Sequence, residues 1–116
     1  VRILILEDDP ARHDIFRKNL SEIGDITITE HANTAIVLLN TEKWDALFLD
    51  HDLGGKVYCE SGPGTGYEVA EWLEQHKDKM PTAVYIHTLN PSGQKKMSQA
   101  LPDAKVVPFY ALFPAN

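Results

Sequence analysis

The stretch Ala46-Leu47-Phe48-Leu49-Asp50-His51-Asp52 constrains this chain more than any other. Four apolar residues in a row suit a strand buried on both faces, as in the middle of a parallel sheet. The run stops on a carboxylate, an imidazole and a second carboxylate, where such a strand would end. In open parallel sheets, ligands gather just beyond the carboxyl ends of the strands. The first strand finishes in the same way, with Ile3-Leu4-Ile5-Leu6 running into Glu7-Asp8-Asp9. Two buried strands that both end in acid predict a site there.

The remaining segments supply the rest of such a sheet. Asp9-Pro10 reads as a helix N-cap followed by a first-turn proline, opening an amphipathic helix over 10–22 with Ala11, Ile15, Phe16, Leu20 and Ile23 inward. Ile26-Thr27-Ile28-Thr29 alternates, as an edge strand with one wet face does. A second helix is expected over 34–41, capped by Asn33 or Thr34, and a third over 67–77. A fourth strand runs from Ala83 to Thr88, Asn90-Pro91 opens a short helix, and Ala104 to Val107 make a fifth strand. Strand and helix alternate five times, which predicts a doubly wound α/β fold with a parallel sheet. An edge-like second strand beside buried first, third and fourth strands fits the order 2-1-3-4-5 and sets Glu7 and Asp8 opposite Asp50.

Composition narrows the function. With 116 residues, the chain is expected to be one domain spanning 1–116. Cys59 is the only cysteine, so an internal disulfide is excluded and a cytoplasmic setting is the default. No apolar run reaches membrane-spanning length, and with Val1 entering a strand almost at once no signal peptide is expected. The formal net charge of −6 argues against generic DNA binding through the phosphate backbone. It suits a divalent cation, since clustered carboxylates repel one another unless something positive sits among them.

At the strand ends the sequence resembles the response-regulator receiver family, a flavodoxin-like fold, over nearly its whole length. Ile-Leu-Ile-Leu-Glu7-Asp8-Asp9-Pro10 resembles the receiver's first strand and acid pair. Asp45-Ala-Leu-Phe-Leu-Asp50 resembles the strand ending in its phosphoacceptor aspartate. Thr88 falls on the hydroxyl position and Pro108-Phe109 on the motif after strand five. Three features depart from that pattern: Val107 stands where receivers carry a lysine, with Lys105 two residues back; the 53–66 loop is long; and the fifth helix is expected to be missing. A narrower group, the cyclic-phosphate-processing receiver domains, is similar at Leu49-Asp50-His51-Asp52-Leu53-Gly54-Gly55. It is similar again at Gly66-Tyr67-Glu68-Val69 with Trp72-Leu73, and at Ile86-His87-Thr88-Leu89-Asn90-Pro91-Ser92-Gly93 with Met97. The resemblance implies action on a cyclic phosphate from an RNA end or a nucleotide.

The residues fit that chemistry. Glu7, Asp8, Asp50 and Asp52 offer hard oxygen ligands for Mg²⁺ or Mn²⁺. His51 and His87, with Asp50, are the candidate catalytic groups, imidazole being able to give or take a proton near neutral pH. Thr88 and Asn90 are candidate phosphate donors, although Asn90 also reads as an N-cap. His13, His31 and His76 read as structural. Gly62-Pro63-Gly64-Thr65-Gly66 lacks a P-loop ending and reads as a lid, and Cys59 has no basic neighbour that would activate it. The expected function is a stand-alone atypical receiver that binds or hydrolyses a cyclic phosphate, its partner a small phosphorylated ligand or an RNA cyclic-phosphate end. The alternatives are a response regulator phosphorylated on Asp50 by a histidine kinase, and a degenerate receiver used for protein interaction. The apolar tail Phe109–Phe113 would then cover the sheet or dock a partner, and a homodimer is compatible with it.

Overall fold

A computed structural model describes residues 1–53 and 59–113. Gly54 and Gly55 of the glycine pair after Leu53 lie outside the described residues. The strands are β1 (Arg2–Leu6), β2 (Asp25–Thr29), β3 (Ala46–Leu49), β4 (Ala83–Ile86) and β5 (Lys105–Val106), all parallel in the order β2-β1-β3-β4-β5. The helices are α1 (Pro10–Leu20), α2 (Ala32–Thr41), α3 (Gly66–Gln75), α4 (Pro91–Ala100) and α5 (Phe109–Leu112), with a 3₁₀ turn at Lys77–Lys79. None of these helices is long and apolar enough to cross a membrane.

The pleat sorts the core into two layers. Leu4, Leu6, Leu47, Leu49, Val84 and Ile86 pack with α2, α3 and α4 through Leu39, Leu73 and Met97. Ile3, Ile5 and Phe48 point the other way, onto Phe16 and Leu20 of α1. Both proline-led helices are capped as their sequences predict. Asp9 accepts from the Ala11 amide at 2.9 Å, and Asn90 accepts from the Gly93 amide at 3.1 Å.

Other boundaries move. The α2 helix starts at Ala32 after His31, not at Asn33 or Thr34. Ala11 and Ile15 on α1, and Ile23 beyond its end, are exposed rather than inward; Phe16 and Leu20 are the residues the helix buries.

The fifth helix, expected to be missing, is present as a single turn. Pro108 presets the backbone for it. Phe109 donates its amide to the His87 carbonyl at 3.0 Å. Phe109 and Phe113 then pack edge-on against Phe16, with ring centroids 5.5 and 5.7 Å away. The apolar tail therefore covers the α1 face of the sheet, while Tyr110 stays 75% exposed.

Candidate active site at the strand ends

The register that pairs Leu6 with Leu49 and Leu49 with Ile86 continues one step past the strands. The Asp50 amide donates to the Leu6 carbonyl at 3.1 Å, that of His87 to Leu49 at 3.0 Å, and that of Val107 to Ile86 at 2.9 Å. Glu7, Asp50, His87 and Val107 thus form one row across four neighbouring strands, on the α1 face. Ligand atoms of Glu7, Asp50 and His87 lie within 4.8 Å of one another.

Glu7 is fully buried and fully engaged. One carboxylate oxygen accepts from the amides of Asp8 (3.0 Å) and Asp9 (3.1 Å). The other meets His87 Nε2 at 2.9 Å and the Arg12 guanidinium at 3.3 Å. Burial alone would raise its pKa, but the His87 hydrogen bond, the Asp9 amide and Arg12 outweigh it and hold Glu7 down at about 2. The His87 imidazole is pushed below its ordinary value by complete burial, against the pull of Glu7. It is therefore a neutral ring that donates Nε2–H to an ionised Glu7, which leaves Nδ1 buried and without a hydrogen-bond partner among the described residues.

Asp50 behaves oppositely. Burial, then the negative charge of Glu7, push its carboxyl up to about 8, against the His51 amide that donates to it at 2.8 Å. The consequence for stability has a definite sign. Between 3.8 and about 8 the folded chain keeps an Asp50 proton that the unfolded chain has lost. Without a divalent cation, stability is thus expected to fall as pH rises from 5 to 8, by up to about 1.4 kcal/mol per pH unit. Glu7 works the other way, its contribution full above 4.5 and fading as pH falls toward 2. Thermal melts in a chelator would show the Asp50 slope, and a flat profile over that window would contradict it.

His51, the next residue, turns to the other face and meets α4. Its Nδ1 lies 2.7 Å from Asp52 Oδ1 and its Nε2 2.8 Å from Ser61 Oγ. A Cβ on Gly93 would fall 2.4 Å from the ring, so only glycine lets α4 start there. The four predicted metal ligands are therefore divided: Glu7 and Asp50 share one group, whereas Asp52 belongs to a second with His51 and Cys59. Asp8 flanks the first group in chain order. Thr88 is buried, its hydroxyl oxygen accepting from the Asn90 amide at 3.1 Å. Asn90 does two jobs, capping α4 and donating to Asp52 Oδ1 and the Cys59 carbonyl, each at 3.0 Å.

Two participants escape a sequence reading. Arg12 reaches Glu7 from the first turn of α1 and lies over the Phe109 ring at 4.6 Å. Its spacing from Glu7 was the only available signal. Cys59 reaches Asp52 at 3.2 Å across a loop whose path local sequence does not dictate. Lys105, by contrast, stays away, exposed and 6.0 Å from the Tyr85 ring. The Gly62–Gly66 segment closes on itself, Thr65 Oγ1 donating to the Gly62 carbonyl at 2.7 Å, with Gly64 at φ +81°.

Residues 2–103 match the family model described as the cyclic-phosphate processing Receiver domain. This chain belongs to that family. No curated protein matches it significantly. Among solved structures it is similar to the response regulator protein TrrA from Thermotoga maritima in complex with Mg(2+)-BeF. The two are 22% identical over 92% of this chain and 84% of that one, with a TM-score of 0.71. It is also similar to a CheY-like receiver domain from Methanospirillum hungatei, 20% identical over 99% of this chain and 82% of that one, TM-score 0.71. A CheY-like receiver domain from Methylobacillus flagellatus is 18% identical over 92% and 83%, TM-score 0.67. At these identities the structures speak for the fold, a five-stranded receiver.

Proposed function

We propose that this receiver binds a cyclic phosphate at the Glu7–Asp50 strand ends and opens its ring by hydrolysis. The observation that carries the reading is the register row itself: two buried carboxylates side by side, Val107 in the place of the receiver lysine, and Arg12 reaching over the row from α1. A divalent cation fits there, because the donors are hard carboxylate oxygens and Asp50 is driven to keep its proton by burial beside the Glu7 charge. Glu7 and Asp50 would hold Mg²⁺ or Mn²⁺, with Asp8 beside them. Such an ion polarises a phosphoryl oxygen and acidifies bound water. Mg²⁺ accompanies the bound BeF of the Thermotoga relative, which supports this choice.

Charge favours a cyclic phosphodiester over an acyl phosphate. The diester carries one negative charge, whereas a phosphorylated Asp50 would carry about two and lacks the fixed lysine beside it. Arg12 offers a planar fork of donors to phosphoryl oxygens. His87 holds the Glu7 carboxylate in place and so acts as a positioning residue. In the reaction a water oxygen bonds to phosphorus, one ring P–O bond breaks, and the departing oxygen takes a proton to leave a monoester.

Phosphorus NMR of a 2′,3′-cyclic nucleoside phosphate with Mg²⁺ or Mn²⁺ tests this directly. The ring-strained signal should convert to a monoester. Arg12→Ala should slow the conversion about 10- to 100-fold, the worth of one charge-assisted contact. No turnover with either ion, together with labelling of Asp50 by acetyl phosphate, would instead establish a phosphorylated switch.

A further inference from the structure

We propose that His51, Asp52 and Cys59 form a second metal site, for a borderline transition ion such as Zn²⁺, on the α4 side of the strand ends. Their ligand atoms are an imidazole nitrogen, a carboxylate oxygen and a sulfur, all within 4.8 Å of one another. Zinc bonds of about 2.0–2.3 Å put neighbouring ligands roughly 3–4 Å apart. The observed separations bracket that range: 2.7 Å from His51 Nδ1 to Asp52 Oδ1, 3.2 Å from Cys59 Sγ to Asp52 Oδ1, and 4.0 Å from Cys59 Sγ to His51 Nδ1.

The surroundings are arranged as around a metal. Ser61 Oγ lies 2.8 Å from His51 Nε2, so Nε2–H can donate to it and leave the Nδ1 lone pair facing the trio. Gly93 clamps the ring, and Asn90 Nδ2 steers the Asp52 carboxylate at 3.0 Å. With that tautomer His51 Nδ1 and Asp52 Oδ1 face each other at 2.7 Å as two lone-pair atoms, and the Cys59 sulfur lies 3.2 Å from the same oxygen, an arrangement that one cation among them would relieve.

Cys59 also lines a cavity of about 670 Å³ with Leu53, Thr65 and the acidic Glu30, Glu60 and Glu68. That cavity gives an ion a route to the Cys59 sulfur lined with negative charge. The chemistry separates this site from the one at Glu7 and Asp50. Thiolate and imidazole select Zn²⁺-like ions, whereas two carboxylates suit Mg²⁺ or Mn²⁺. Loading releases the Cys59 thiol proton, the ion taking its place on sulfur.

Cobalt(II) is the probe, because a thiolate bound to it gives a charge-transfer band in the near ultraviolet. Titrating the purified chain should fill one site with that band, resistant to a large excess of Mg²⁺ and reversed by Zn²⁺. The band should persist in Glu7→Gln, which disables the carboxylate site, and vanish in Cys59→Ser. Asp52→Asn should retain the fold by circular dichroism and weaken binding at least about 10-fold. Cobalt bound without the thiolate band, a band that survives Cys59→Ser, or no binding at stoichiometric cobalt would each overturn the proposal. None of these readings involves turnover, so failure here and failure of cyclic-phosphate hydrolysis are told apart.

Discussion

Asp50→Asn is expected to abolish ring opening while making the cation-free protein more stable. Loss of turnover should be about 100-fold or more, since even outer partners of a bound metal typically cost 10–100-fold when removed. The gain in stability comes from the same burial. Asp50 is only 5% exposed, beside an ionised Glu7, and at pH 8.5 its own charge has no cation to offset it. An amide of the same shape removes that repulsion and should add about 2 kcal/mol or more at that pH. The gain should shrink toward pH 5, where Asp50 is already protonated, and should reverse in sign once Mg²⁺ stabilises the wild type alone. Paired melts with and without Mg²⁺ at the two pH values check all three outcomes. A variant less stable than wild type in chelator at pH 8.5 would show that Asp50 is held by a partner stronger than the Glu7 repulsion. A site that is costly to fold without its ligand is a common way for proteins to store binding capacity.

Gly66→Ala should be the most damaging added methyl among the described glycines. A Cβ there would sit 1.7 Å from the Asp50 carbonyl oxygen and 2.8 Å from its carbon, both backbone atoms that no rotamer change can move. The contact exists because the Gly66 amide, the first of α3, donates to the His51 carbonyl at 2.9 Å and draws the helix onto the end of β3. Adding the methyl must push α3 off that strand end, at a cost of about 3 kcal/mol or more and a fall in Tm of roughly 10–15 °C. Phosphate chemistry should fail with it, because Asp50 rides on the displaced backbone. Gly62→Ala is the matched control. Among the described residues nothing lies within 4 Å of its Cβ, so its melting temperature should stay within about 2 °C of wild type. Equal effects from the two substitutions would mean that loop flexibility matters, rather than the close approach of α3 to Asp50.

How much was readable in advance differs from residue to residue. The apolar runs 3–6 and 46–49 marked buried parallel strands, and the alternation at 26–29 marked the edge. Those patterns are local, set by which faces of a few consecutive residues must avoid water, so they required no knowledge of the fold. The acids at both strand ends, and the Asp9-Pro10 and Asn90-Pro91 helix starts, were legible for the same reason. The fifth helix was not. Its single turn is held by Phe109 and Phe113 on Phe16, nearly a hundred residues away, and its own sequence is too short to predict it.

The sequence by itself determined that carboxylates would crowd the ends of β1 and β3 and that two histidines would stand near them. Only the tertiary structure decided what each histidine does. His87 follows β4 on the α1 face and is spent on Glu7, whereas His51 lies one residue past Asp50 and joins Asp52, Ser61 and Cys59. The pleat alternates faces with every residue, so a shift of one position sends a side chain to the opposite layer. Arg12 and Cys59 came to these groups from a helix and a loop whose approach is fixed by the packing of the whole sheet. That packing is a sum over many distant contacts, and no short stretch of sequence carries it.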